Sequence, residues 1–120
     1  MFFKRRKKKR VICPIPVLLG IIQESIDVGA SFVILFYGKE YKIGLDFEDY
    51  VGYPPHGTFI NPIFYLEEQE FDNFEAFKSQ AMLEGRLLVE RTEEVEVIEI
   101  DSGVVKLPSY NQLEQYVVEE

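Results

Sequence analysis

Residues 31–47, SFVILFYGKEYKIGLDF, constrain the fold more than any other part of this 120-residue chain. Phe32 to Tyr37 is an unbroken apolar run, the pattern of a strand buried on both faces. Tyr41, Ile43, Leu45 and Phe47 then alternate with Lys42, Gly44 and Asp46, the period-two pattern of a strand with one face on a core. Gly38, Lys39 and Glu40 between them close a hairpin. Two strands joined so tightly run antiparallel. The chain is therefore expected to fold around a mainly antiparallel sheet with this hairpin, residues 32–47, at its centre.

The flanking patterns supply helices. In PIPVLLGIIQESIDVGA, Pro16 suits a helix start, where its missing N–H costs nothing. Ile15, Leu18, Leu19, Ile22 and Ile26 recur at helical spacing, and Gly29 supplies a stop. EDYVGYPPHGTFINP has the glycines and prolines of a turn region, and IFYLEEQEF reads as a third strand. FDNFEAFKSQAMLEG opens a second helix with a capping box, Asp72 and Glu75, and closes it at Gly85. RLLVERTEE adds one helical turn. EVEVIEI is a strand whose alternation slips between Val97 and Ile98, as a bulge would make it. SYNQLEQYVVEE begins with a second capping box, Ser109 and Gln112, and reads as a short helix frayed by Glu119 and Glu120 at its negative end. This order places helices on one face of a small antiparallel sheet, an α+β fold. Length allows one core, so residues 11–120 form one domain preceded by an arm, residues 1–10.

That arm, MFFKRRKKKR, holds Lys4, Arg5, Arg6, Lys7, Lys8, Lys9 and Arg10, 7 of the chain's 13 basic residues. The formal charge is nonetheless -8, because residues 11–120 carry 6 basic residues against 21 acidic ones. A charged start followed by VICPIPVLLGII and VGA imitates a secretory signal. However, Pro14 and Pro16 break the apolar stretch, and Glu24 and Asp27 intervene before the small residues. Only 12 apolar positions follow the arm, where a spanning helix needs about 20. Clustered cations attract phosphate, but no aromatic residue is interleaved for base stacking. The arm would also act against an acidic body. Phe2 and Phe3 beside the basic run suit contact with anionic lipid. A solvated, disordered tail that folding can spare is the plain reading, because charge blocks of this length are usually such tails.

One cysteine, Cys13, excludes an intrachain disulfide, and one histidine, His56, excludes a His-pair metal site. A reducing, cytoplasmic setting fits. His56, in GYPPHGTF, would need an oriented carboxylate such as Asp46, Glu48 or Asp49 to act as a base. An exposed loop histidine is the simpler expectation. Tyr50, Tyr53, Phe59, Phe64 and Tyr65 read as residues that close the edge of a small core, or as a protein-binding patch. LEEQEFDNFE has neither the ligand spacing nor the central glycine of an EF-hand loop. No phosphate loop, nucleophile motif or dinucleotide fingerprint is present, so neither an enzyme nor a cofactor is expected.

IIQESIDVGASFVILFYGKEYKIG, FDNFEAF and EVEVIEI together resemble small uncharacterised α+β proteins of Gram-positive bacteria and their phages. The resemblance implies a bacterial or phage origin and no activity. The acidic side chains carry the functional expectation. Glu67, Glu68 and Glu70 crowd one segment. Glu94, Glu96 and Glu99 lie along the last strand, with Glu94 and Glu96 on one face. Such a surface solubilises a protein and guards a sheet edge, or it docks a basic partner. The leading expectation is a non-catalytic interaction module of the inhibitor, immunity or accessory kind, using this acidic face on a basic protein. The alternative is a peripheral binder of anionic membrane, at its inner face, or of nucleic acid, acting through residues 1–10.

Overall fold

The computed structural model describes residues 9–26, 29–53, 56–101 and 113–119. The central hairpin forms as β2 (Ala30–Phe36) and β3 (Lys39–Val51). Its turn is Tyr37-Gly38 rather than Gly38 to Glu40. Both turn residues have positive φ, 48° and 79°, the twist-matched geometry favoured in two-residue hairpins. Lys39 and Glu40 already belong to β3. Its register pairs Phe32 with Ile43 and Ile34 with Tyr41. Only Ala30, Phe32, Ile34 and Phe36 of β2 are buried, whereas Ser31, Val33 and Leu35 are half-buried. The apolar run is thus not buried on both faces, because the helices cover one side of the sheet.

β3 continues well past the hairpin's core. It pairs with β4 (Thr58–Leu66) from Ile43–Leu66 out to Val51–Thr58. The segment read as turn chemistry is therefore largely strand. β4 turns through Glu67 and Glu68 into the short β5 (Gln69–Phe71). On the other side of β2 lies β8 (Glu94–Asp101). The expected bulge is present. Val33 faces Glu99 while Ile34 faces Val97, which leaves Ile98 as the extra residue.

Two strands of the large sheet fall outside the predicted strands. β1 (Lys9–Pro14) pairs with β8, Val11 opposite Val97 and Cys13 opposite Val95. Lys9 and Arg10 are thus sheet residues and not arm, because Val11 and Cys13 carry them into register. β9 (Val117–Glu119) pairs with β1. The C-terminal segment is therefore a 3-10 turn over residues 113–116 followed by a strand. Val117 and Val118 favour a pleated pairing over a helix. The predicted cap residues Ser109 and Gln112 lie outside the described residues. The sheet order is β5-β4-β3-β2-β8-β1-β9, and every described pairing is antiparallel.

Residues paired across adjacent strands point to the same face, so one face can be followed across the sheet. Cys13, Val95, Val97, Ile34, Phe32, Tyr41, Ile43, Leu45, Phe64 and Leu66 form its buried side. Onto them α1 (Ile15–Glu24) sets Ile15, Leu18, Leu19, Ile21 and Ile22. Pro16 sits in its first turn as expected, but the helix stops before Ile26, which is exposed. α2 (Phe74–Gln80) sets Phe74 and Phe77 against Phe64, at ring-centroid distances of 5.6 and 5.9 Å. Leu113 is buried in this same core.

The second helix begins and ends differently from its sequence pattern. Asn73, not Asp72, is the cap, and its side-chain oxygen accepts from the Ala76 N–H at 2.8 Å. Gly85 does not stop the helix. With Glu84 it turns a small hairpin, β6 (Met82–Leu83) and β7 (Arg86–Leu87), both turn residues at positive φ. The helical turn read in RLLVERTEE is the 3-10 helix Leu88–Glu90. Asn73→Ala is expected to cost about 1 kcal/mol, and Asp72→Ala much less, as urea unfolding would measure. Equal costs would return the cap to Asp72.

Candidate functional site: the outer face of the sheet

The face opposite the helices is left without a covering element among the described residues. Cross-strand register assembles it in rows. Ser31, Gly44, Tyr65 and Glu70 form one row across β2, β3, β4 and β5. Glu99, Val33 and Lys42 form the next. Ile12, Glu96, Leu35 and Glu40 form a third. Ile12, Val33, Leu35 and Tyr65 are half-buried, so a thin apolar floor underlies the charges.

The bulge decides the placement of Glu99. Strict alternation from Glu94 and Glu96 would send position 98 outward and position 99 toward the helices. The extra residue Ile98 resets the parity, so Glu99 pairs with Val33 and joins Glu94 and Glu96 on the outer face. Re-aiming a side chain is a recurrent use of bulges.

Gly44 is fixed by close approach. A Cβ there would lie 2.3 Å from the Ala30 carbonyl oxygen and 2.7 Å from the Ser31 Cα. With no side chain at that point the surface dips. Ser31, Phe32, Val33, Lys42, Tyr65 and Glu99 line a shallow depression of about 280 Å³.

The sequence-predicted carboxylates are only partly brought together. Glu94, Glu96 and Glu99 share β8. Glu70 shares their face but sits on β5, four strand spacings away, about 19 Å. Glu67 and Glu68 are exposed in the turn leading to it. Lys42 stands between the two groups, so the carboxylates form two patches instead of a continuous row. Sequence reasoning left Glu40 and Asp46 out of the acidic surface, yet they pair with Leu35 and Ile63 on this same face. The alternation of β3 about Lys42 carried that signal.

Of the basic run, Lys4 to Lys8 lie outside the described residues. Arg10 pairs with the acidic strand, its Nε donating to Glu96 Oε1 at 2.6 Å. Glu96 is thereby partly neutralised, while Glu94, Glu99, Glu40 and Glu70 are exposed.

Other candidates have little chemistry around them. Cys13 is buried, and burial followed by the nearby Glu94 pushes its thiol up to about 11. A nucleophilic cysteine needs the opposite shift. His56 is exposed, and its backbone N–H donates to the Tyr53 carbonyl at 2.8 Å. Among the described residues no three His, Cys, Asp or Glu side chains gather as metal ligands would, and no helix is long and apolar enough to cross a membrane. Phe59 packs against both Tyr50 and Phe47, at centroid distances of 4.9 and 5.1 Å, and Phe64 lies in the core. No family model matches this chain, and no curated protein or solved structure matches it either.

Proposed function

We propose that this chain is a non-catalytic protein-interaction module whose outer sheet face receives a basic surface of another protein. The supporting observation is the outer face itself, which no element among the described residues covers. Its described side chains include Glu40, Asp46, Glu70, Glu94, Glu96 and Glu99, against Lys42 and Arg10, over a half-buried apolar floor. Complementary fields of this kind raise the association rate and select the partner, while the apolar floor supplies contact area. Regulation of a basic partner, as inhibitor, immunity or accessory protein, fits such a surface, and the cytoplasm fits the single buried thiol.

The test is capture from the native host with three baits: the full chain, a chain starting at Lys9, and Glu70→Gln/Glu94→Gln/Glu99→Gln. The same basic protein is expected on the first two baits and strongly reduced on the third, with binding that weakens as salt rises. Retention that disappears with residues 1–8 and survives the three glutamines would overturn this reading. It would favour lipid or nucleic acid held by the basic run.

A further inference from the structure

We infer that the groove between α1, α2 and the 3-10 helix is a self-association site, filled by α1 of a second copy of this chain. Gly20 is the first observation. It sits midway along the ten-residue α1, where glycine is the least favourable residue apart from proline. Glycine is normally kept where the backbone turns left-handed or where another atom presses close to Cα. Neither holds here. Gly20 is not among the glycines at positive φ, and a Cβ built on it would meet nothing within 4 Å among the described residues. Gly44, by contrast, is required by its own neighbours. The second observation is the space beside Gly20, a groove of about 230 Å³. Its walls are Pro16, Leu19 and Gln23 of α1, Phe74 and Lys78 of α2, and Val89 of the 3-10 helix. Val89 is 40% exposed.

Charge selects the occupant. The chain has 21 acidic residues and a formal charge of -8, yet among the described residues no carboxylate lines the groove, and its one charged wall residue is Lys78. Two copies meeting through the outer sheet face would set Glu40, Glu94 and Glu99 against the same three residues. Meeting through the groove, they bring apolar walls together. Glu75, one helical turn before Lys78, and Glu90, next to Val89, are exposed beside it. Each copy thus offers a cation and an acidic rim, the self-complementarity that a two-fold contact requires. Pro16, Gly20 and Gln23 fall on one stripe of α1, at i, i+4 and i+7. Two α1 helices crossing at Gly20 lay this stripe on its own counterpart. With no Cβ on either side, their axes approach more closely than the usual distance of about 8–10 Å. One glycine then opens both halves of the contact, where a foreign helix would gain from one side only. The groove lies on the opposite side of the sheet from the acidic face, so this association does not depend on what that face binds.

Sedimentation equilibrium of the full chain, from about 10 µM to about 1 mM, tests the inference. The mass is expected to rise from one chain to two and no further, because a two-fold contact closes on itself. Gly20→Leu fills the groove with a good helix former and is expected to keep the chain single throughout. Lys78→Glu puts a carboxylate into the groove of both copies and is expected to raise the dimer Kd roughly tenfold or more. Lys78 is exposed, so this variant keeps the test open should Gly20→Leu fold poorly. Gly20→Ala reads the single chain's own fold. At about 10 µM its thermal unfolding is expected a few degrees above the parent, since alanine is the better helix former and its Cβ has room. A single-chain mass at every concentration would overturn the inference and leave the groove to a helix of another protein. A dimer unchanged by Gly20→Leu and by Lys78→Glu would overturn it by placing the contact elsewhere. Gly20→Ala unfolding below the parent would overturn it by showing that the fold itself requires the glycine.

Discussion

Phe32→Ala is expected to remove about 3–5 kcal/mol of folding stability, and Ile34→Ala about 2–5 kcal/mol. Both side chains point to the helix-covered face and are buried completely or nearly so. Phe32 pairs with Ile43 and Ile34 with Tyr41 at the middle of the sheet, where β3 and β8 flank β2. Truncation there loses transfer free energy and leaves a cavity that close-packed neighbours fill only in part. Leu35→Ala is the contrast. Leu35 stands between Glu40 and Glu96 on the outer face and is only half-buried, so its loss should cost distinctly less. Urea unfolding of the three variants checks the pattern, with a shared slope showing that the midpoints report stability. A Leu35→Ala cost equal to that of Ile34→Ala would mean the outer face is covered.

The central hairpin and the bulge were legible because both are written in local alternation. Phe32 to Phe47 contains its own turn and its own partner, so no distant residue is needed to identify it. The slip at Val97–Ile98 is likewise local, and it suffices to place Glu99 beside Glu96. β1 was hidden because a strand beginning Lys9-Arg10 looks like the end of a charge block. Its stabilising partners, Val95 and Val97, lie more than 80 positions away. The length of β3 was hidden for a related reason. Glu48 and Asp49 look like loop residues, but on a strand that continues past the end of β2 they face water while Phe47 and Phe59 stack. Asn73 displaced Asp72 as the helix cap by one position, a difference decided by backbone geometry at Asn73.

The candidate site was legible as residues and not as a surface. Parity placed Glu94 and Glu96 together, but the distance from them to Glu70 depends on β2, β3 and β4 lying between, which is a matter of topology. The same topology divides the acidic side chains between separate strands and sets Arg10 against Glu96. Composition alone presents those features as one acidic body with a basic handle.

Arg91→Ala is expected to cost about 3 kcal/mol or more, although nothing in the sequence singled this residue out. The Arg91 side chain is 9% exposed. Its Nε and Nη2 donate to the Leu83 carbonyl at 2.9 and 2.7 Å, and Nη2 also donates to the Glu84 carbonyl at 3.0 Å. Nη1 donates to the Glu93 carboxylate at 2.6 Å, and the guanidinium lies 5.0 Å from the centre of the Phe36 ring. One planar group thus fastens the β6–β7 turn to the end of β2 and to the approach of β8. Removing it takes the guanidinium donors from the Leu83 and Glu84 carbonyls and the cation from the partly buried Glu93, a loss that exceeds the mean value of a hydrogen bond. Arg91→Lys should recover only part of the stability, because an ammonium cannot serve the two carbonyls and the carboxylate in the geometry of the fork. The pair also ties stability to pH. The Glu93 carboxyl is held below its ordinary range, first by its own backbone N–H and then, against a desolvation cost, by Arg91. A carboxyl with a lowered folded-state pKa contributes stability above its unfolded value and loses it as pH falls through the folded one. Glu93→Gln should therefore lower stability near neutrality and flatten the decline on acidification, whereas Phe32→Ala shifts the whole curve. Unfolding midpoints followed from pH 7 to pH 2.5 separate these outcomes. An Arg91→Ala variant within about 0.5 kcal/mol of the parent, the range of an ordinary surface substitution, would remove this clasp from the account of the fold.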